Sequence, residues 1–128
     1  MSLKDKTVIV IGGSSGFGMA TALTAVELGA KVTVTGRDAA KLEQAVSDFA
    51  TAGHSVAGHV LDAADVDSIA AFFEGVETFD HLVSMAGGFM GGGFLEADFK
   101  TIRRAVDEKL FANLQIHKMP ALRIHLGR

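Results

Sequence analysis

Residues 7–18 read TVIVIGGSSGFG: five β-branched residues run directly into a glycine-rich turn. Helically spaced apolar residues follow, with Met19, Ala22, Leu23 and Val26 on one face and Gly29 as the stop. A strand that breaks into glycines and then into a helix narrowly constrains what the chain can fold into. Glycines let the main chain turn tightly and approach a pyrophosphate with no Cβ in between. The helix that follows aims its unpaired N–H groups and the positive end of its dipole at the same point. The ligand expected at such a junction is a nucleotide, above all a dinucleotide. A glycine-rich turn without a ligand is the alternative.

Spacing separates versions of this idea. Gly12, Gly16 and Gly18 form G-x-x-x-G-x-G, with Gly13 as an extra glycine. The G-x-G-x-x-G fingerprint does not fit, because Met19, Ala20 and Thr21 follow Gly18. No Lys-Ser or Lys-Thr follows the loop, which argues against a P-loop triphosphate site.

The pattern of strand and helix signals then repeats. Residues 31–35 (KVTVT), 55–61 and 81–85 (HLVSM) read as strands two to four. Asp38 reads as the N-cap of a helix to about residue 52, with Leu42, Ala45, Val46 and Phe49 inward. Residues 64–75 form the next helix, carrying Val66, Ile69, Ala70, Phe72 and Phe73. Asp98 caps a last long helix reaching about residue 117. Apolar strands alternating with helices imply an α/β fold, a Rossmann-like doubly wound parallel sheet with flanking helices. Right-handed crossovers give strand order 3-2-1-4, with the ligand at the carboxyl ends of strands one and four. Residues 1–118 read as one dinucleotide-binding domain and 119–128 as an irregular C-terminal tail.

A 128-residue chain that is 48% hydrophobic suits a single cored domain. Its net charge of -3 and pI near 5.9 give no support for a nucleic-acid partner. There is no cysteine, so disulfide and thiolate chemistry are excluded. The five histidines lack metal-ligand spacing, and no metal is expected. The apolar run after Lys4 and Lys6 is far shorter than the roughly 18 residues of a membrane span. Neither membrane attachment nor a signal peptide is therefore expected, and the default location is cytoplasmic.

From residue 4 to residue 113 the chain resembles the short-chain dehydrogenase/reductases. The resemblance implies an oxidoreductase that moves a hydride between nicotinamide and a carbonyl or alcohol. It assigns the pyrophosphate to Gly12, Gly16, Phe17 and Gly18, with Ser14 and Ser15 as hydroxyl donors. Strand two ends in Thr35-Gly36-Arg37, without the acidic residue that would accept from a ribose 2′-OH and select NAD. A guanidinium matches a 2′-phosphate in charge and in its fork of donors, so NADP is expected over NAD. Solvation of the loop before Asp38 is the other reading of Arg37. Asp62 matches the family's acidic residue at the adenine amino group, flanked by Leu61 and Ala63; a helix N-cap at Asp62 or Asp65 is the other reading. Ala86 and Gly87 fit beside the cofactor's ribose. Met85 stands where the family carries Asn and reads as a core residue. Lys109 matches the Asn of the family's last helix, four residues before Asn113, for which a surface or capping role is expected.

The family's catalytic Tyr and Lys, and the Ser upstream of them, lie beyond strand four. This sequence contains no tyrosine, and no catalytic residue is assigned. Pro120 stops the last helix and no strand pattern follows, so the sequence reads as a truncated, cofactor-binding half. The substrate is a small molecule that the sequence does not specify. In the loop after strand four, Phe89, Met90 and Phe94 either line an apolar pocket or pack onto the last helix. A homo-oligomer is expected, through Leu110, Phe111 and Leu114 of the last helix or through the strand-four edge.

Overall fold

The computed structural model describes residues 1–87, 93, 95–121 and 123. The reading of Phe89, Met90 and Phe94 lies outside the described residues. Strands β1 (Thr7–Ile11), β2 (Lys31–Gly36), β3 (Ala57–Val60) and β4 (His81–Ser84) form one sheet in the order β3-β2-β1-β4. Every pairing is parallel. Helices α1 (Gly16–Glu27), α2 (Ala39–Thr51) and α3 (Val66–Glu74) are the crossovers. After β4 come α4 (Phe99–Val106), a π-helical turn (Asp107–Phe111) and α5 (Ala112–Lys118). The expected doubly wound sheet with its 3-2-1-4 order is therefore present.

Alternation along β1 explains why the sheet carries two layers. Side chains on a strand point to opposite faces in turn. Val8 and Val10 join Ala22, Ala25, Val34, Leu42 and Phe49 beneath α1 and α2. Ile9 and Ile11 join Leu61, Ile69, Phe73, Phe79 and Ile116 on the other face. Val8, Ile9, Val10 and Ile11 are each at most 3% exposed, as befits a central parallel strand. Edge strand β3 has no buried residue.

The capping carboxylates lie where the sequence suggests. Asp38 Oδ1 accepts from the N–H groups of Ala40 and Lys41, at 2.9 and 3.1 Å. Asp65 caps α3 through Asp67 N, and Asp98 caps α4 through Thr101 N. The Thr101 hydrogen bond holds the Asp98 carboxyl below its ordinary range.

Two helix faces differ from expectation. On α1 the third inward position is Ala25, while Leu23 is turned toward solvent. On α3 only Ile69 and Phe73 are buried, and Val66 sits exposed in the first turn. In both helices the buried stripe is narrower than the apolar stripe of the sequence. Residues 119–121 are turns, yet they are anchored: Met119 packs on the Ile9 side of the sheet and Pro120 is fully buried. Arg123 O accepts from Phe79 N, and its guanidinium donates to Phe73 O.

Candidate cofactor site

Parallel register brings the carboxyl ends of three strands level, pairing Ile11 with both Thr35 and Ser84. From there the chain leaves β1 under main-chain control. Gly12 N and Gly13 N both donate to Thr35 O, while Met85 N donates to Ile11 O at 2.8 Å. A cleft opens between the diverging β2 and β4 ends. Its walls include Gly12, Ser14, Ser15, Gly36, Arg37, Ala63, Met85, Ala86, Gly87 and Glu108.

Each glycine of the turn meets a distinct constraint. Gly12 has φ +82°, and a Cβ there would lie 3.1 Å from the Met85 carbonyl. At Gly18 a Cβ would fall 1.9 Å from Gly12 O, so α1 approaches the turn as only glycine allows. Gly16 has φ +55° with open space where a Cβ would stand. Ser15 precedes α1 as its N-cap without a side-chain capping bond, and the first turn carries no acidic residue. The positive end of α1 thus has no anion from its own cap or first turn, which is the condition an incoming phosphate needs.

The β2 end is built on another glycine. A Cβ at Gly36 would lie 2.8 Å from Ser14 Oγ, so Gly36 lets the glycine turn and the β2 loop meet. Arg37 follows on the cleft wall with its side chain 55% exposed. Its neighbour Asp38 has its Oδ1 committed to the α2 cap.

Of the residues singled out from sequence, Gly12, Ser14, Ser15, Arg37, Ala63, Ala86 and Gly87 come together on one cleft. Gly16, Phe17 and Gly18 lie at the start of α1 and do not line it. Phe17 is 84% exposed beside an apolar groove along α1 and β4. Asp62 lines an adjoining charged groove, which shares Arg37, Ala64 and Glu108 with the cleft. Asp62 Oδ1 accepts from Ala64 N at 3.0 Å, while Asp62 N donates to Ser68 Oγ.

Two expectations are corrected. Met85 is no core residue: it is 46% exposed and forms cleft wall, because its main chain backs onto Gly12. Asn113 is no plain surface residue. Its Oδ1 accepts from Ser84 Oγ, and its Nδ2 donates to Ala86 O at 3.3 Å and Lys109 O at 2.6 Å. It therefore joins the last helix to the β4 end. Lys109 lies over Gly87, where a Cβ would come within 3.0 Å of its Cγ.

Glu108 was missed. It is 6% exposed, accepts from Arg104 Nε at 2.7 Å and lies 3.7 Å from Arg37 Nη1. The i,i+4 spacing of Arg104 and Glu108 is the sequence signal that could have found it.

A parallel sheet in the order 3-2-1-4 with a glycine-built turn at its switch point defines a doubly wound, Rossmann-like α/β protein. The family model described as short chain dehydrogenase matches residues 6–122, and the chain belongs to that family. It is 34% identical over 120 residues to a serine 3-dehydrogenase of Agrobacterium fabrum, covering 91% of this chain and 48% of that protein. It is 30% identical over 129 residues to a 3-dehydrosphinganine reductase of Arabidopsis thaliana, covering 98% of this chain and 39% of that protein. Among solved structures, a short-chain type dehydrogenase/reductase from Mycobacterium ulcerans superposes with a TM-score of 0.87 at 28% identity. That match covers 96% of this chain and 48% of the other. The chain thus spans less than half the length of each. Family members bind a nicotinamide dinucleotide, NAD(H) or NADP(H). Among the described residues, no helix is long and apolar enough to cross a membrane.

Proposed function

We propose that this chain is the cofactor-binding half of an NADP(H)-dependent oxidoreductase acting on a carbonyl or alcohol in the cytoplasm. Arg37 carries the reading of NADP. It stands on the cleft wall at the β2 end, next to an aspartate already engaged as a helix cap. A 2′-phosphate is matched there by a guanidinium, and the adjoining carboxylate, Asp38, already accepts the α2 cap bonds through Oδ1. The uncapped start of α1 and the open face of Gly16 support a pyrophosphate at the glycine turn.

The roles of the chain's own residues follow from these positions. Main-chain N–H groups around Gly16, with the hydroxyls of Ser14 and Ser15, hold the pyrophosphate. Arg37 holds the 2′-phosphate, and Asp62 and Ala63 border the adenine. Ala86 and Gly87 support the nicotinamide-side ribose, with Asn113 fixing the loop beneath them. The bound dinucleotide supplies or accepts the hydride. Without a tyrosine, the 128 residues are assigned binding and orientation of the cofactor and not proton transfer to substrate. That same composition favours the second reading, a nucleotide-binding module without catalysis. Two copies are proposed to associate through the last helix or the β4 edge.

Calorimetric titration with NADPH and NADH tests the reading. The chain is expected to prefer NADPH. Arg37→Glu should weaken NADPH binding by at least about tenfold, the scale of a lost charge-assisted hydrogen bond, and change NADH binding much less. Equal losses for both cofactors would remove Arg37 from the 2′-phosphate.

A further inference from the structure

We infer that Glu108 determines how strongly the cleft prefers a phosphorylated ribose. This rests on the NADP reading of Arg37 and extends it to a residue on the opposite wall. Glu108 lies in the π-helical turn after α4, while Arg37 lies at the β2 end, so their contact spans the cleft. Both arginines address the same oxygen. Arg104 Nε donates to Glu108 Oε1 at 2.7 Å, whereas Arg37 Nη1 lies 3.7 Å from it, an ion pair without a hydrogen bond.

The inequality of the two contacts gives the mechanism. A buried carboxylate must keep a cation beside it. Arg104 meets that need with a direct bond, and that bond holds its guanidinium above the ordinary arginine range. Arg37 is the looser partner and can swing to a phosphate while Glu108 keeps Arg104. Before binding, Glu108 competes for Arg37. After binding, its negative charge lies close to the phosphate that Arg37 holds. Both effects oppose a 2′-phosphate, and neither acts on a 2′-hydroxyl, which carries no charge. Glu108 therefore moderates the preference for NADP that Arg37 creates.

Three variants of the chain test this by calorimetry with NADPH and NADH, each checked for folding by its thermal melt. Glu108→Gln removes the charge and keeps an oxygen for Arg104. It should tighten NADPH binding by about fivefold, the scale of a partly exposed ion pair, and leave NADH binding within about twofold. Arg104→Gln leaves Glu108 more dependent on Arg37 and should weaken NADPH binding by about threefold. In the Glu108→Gln background, Arg104→Gln should have no further effect on NADPH. If Glu108→Gln fails to fold, Glu108→Asp, which draws the carboxylate back from Arg37, should tighten NADPH by a smaller factor.

Unchanged or weaker NADPH binding by Glu108→Gln, with Arg37→Glu still selective against NADPH, would overturn the inference and leave the NADP reading standing. So would a loss from Arg104→Gln that persists without the Glu108 charge, since Arg104 would then meet the phosphate itself. Weaker NADH binding in Glu108→Gln would mean that the carboxylate accepts from the ribose hydroxyl, which also overturns it. If Arg37→Glu shows no selective loss, the NADP reading itself falls.

Discussion

At the scale of single residues, the glycines of the first turn are not interchangeable. Gly18 is required by packing, because a Cβ there would collide with the Gly12 carbonyl at 1.9 Å. Gly16 is required by conformation, because it holds φ +55° in open space. Gly18→Ala is therefore expected to destabilise the fold by about 3 kcal/mol, the upper range for overpacking. Gly16→Ala should cost about 1 kcal/mol for the left-handed backbone and still fold. Thermal melts of the two variants separate these cases, and equal shifts would mean that the turn relaxes around Gly18. Cofactor binding by the folded Gly16→Ala variant then reports on the phosphate site alone.

At the scale of elements, the junction between β4 and the last helix depends on Asn113. Its side chain bonds Ser84 and two main-chain carbonyls, those of Ala86 and Lys109. Asn113→Ala should cost about 2 kcal/mol of stability, given partly buried bonds of roughly 1 kcal/mol each. It should also speed amide exchange at Ala86 and Gly87. A melt unchanged from the parent would show that water replaces the amide at no cost. The strand cores, the helix caps and the glycine turn were legible in the sequence, since each is written in neighbouring residues. Asp38, for example, caps helix α2 at the expected place. What spans distant elements was not. Asn113 and Glu108 acquire their partners only when the last helix docks. The π-helical turn also shifts the phase by which a helical reading would sort inward from outward residues.

At the scale of the whole molecule, the last helix leaves Leu110, Phe111 and Leu114 each more than half exposed. Grouped apolar side chains of this size on one helix are costly to hydrate. Association of two copies through this face predicts a dimer mass in sedimentation, and Phe111→Glu should return it to the monomer. A monomer mass for the parent chain at all accessible concentrations would remove the helix from the interface.

The level strand ends have a last consequence, which concerns how the molecule tolerates change. Main-chain and carboxylate bonds at the amino ends of the strands tie the chain together, as between Leu3 and Leu28 or Thr7 and Asp80. The cleft is drawn entirely from the opposite pole. The amino pole serves shape alone, whereas the carboxyl pole carries the proposed ligand site on top of structural contacts of its own, such as those of Gly18 and Asn113. Random substitutions should therefore divide by latitude: those near the amino pole change only how much protein survives, and those near the carboxyl pole also change what the survivors hold. Loops could be exchanged at the second pole to alter recognition while the scaffold stays the same.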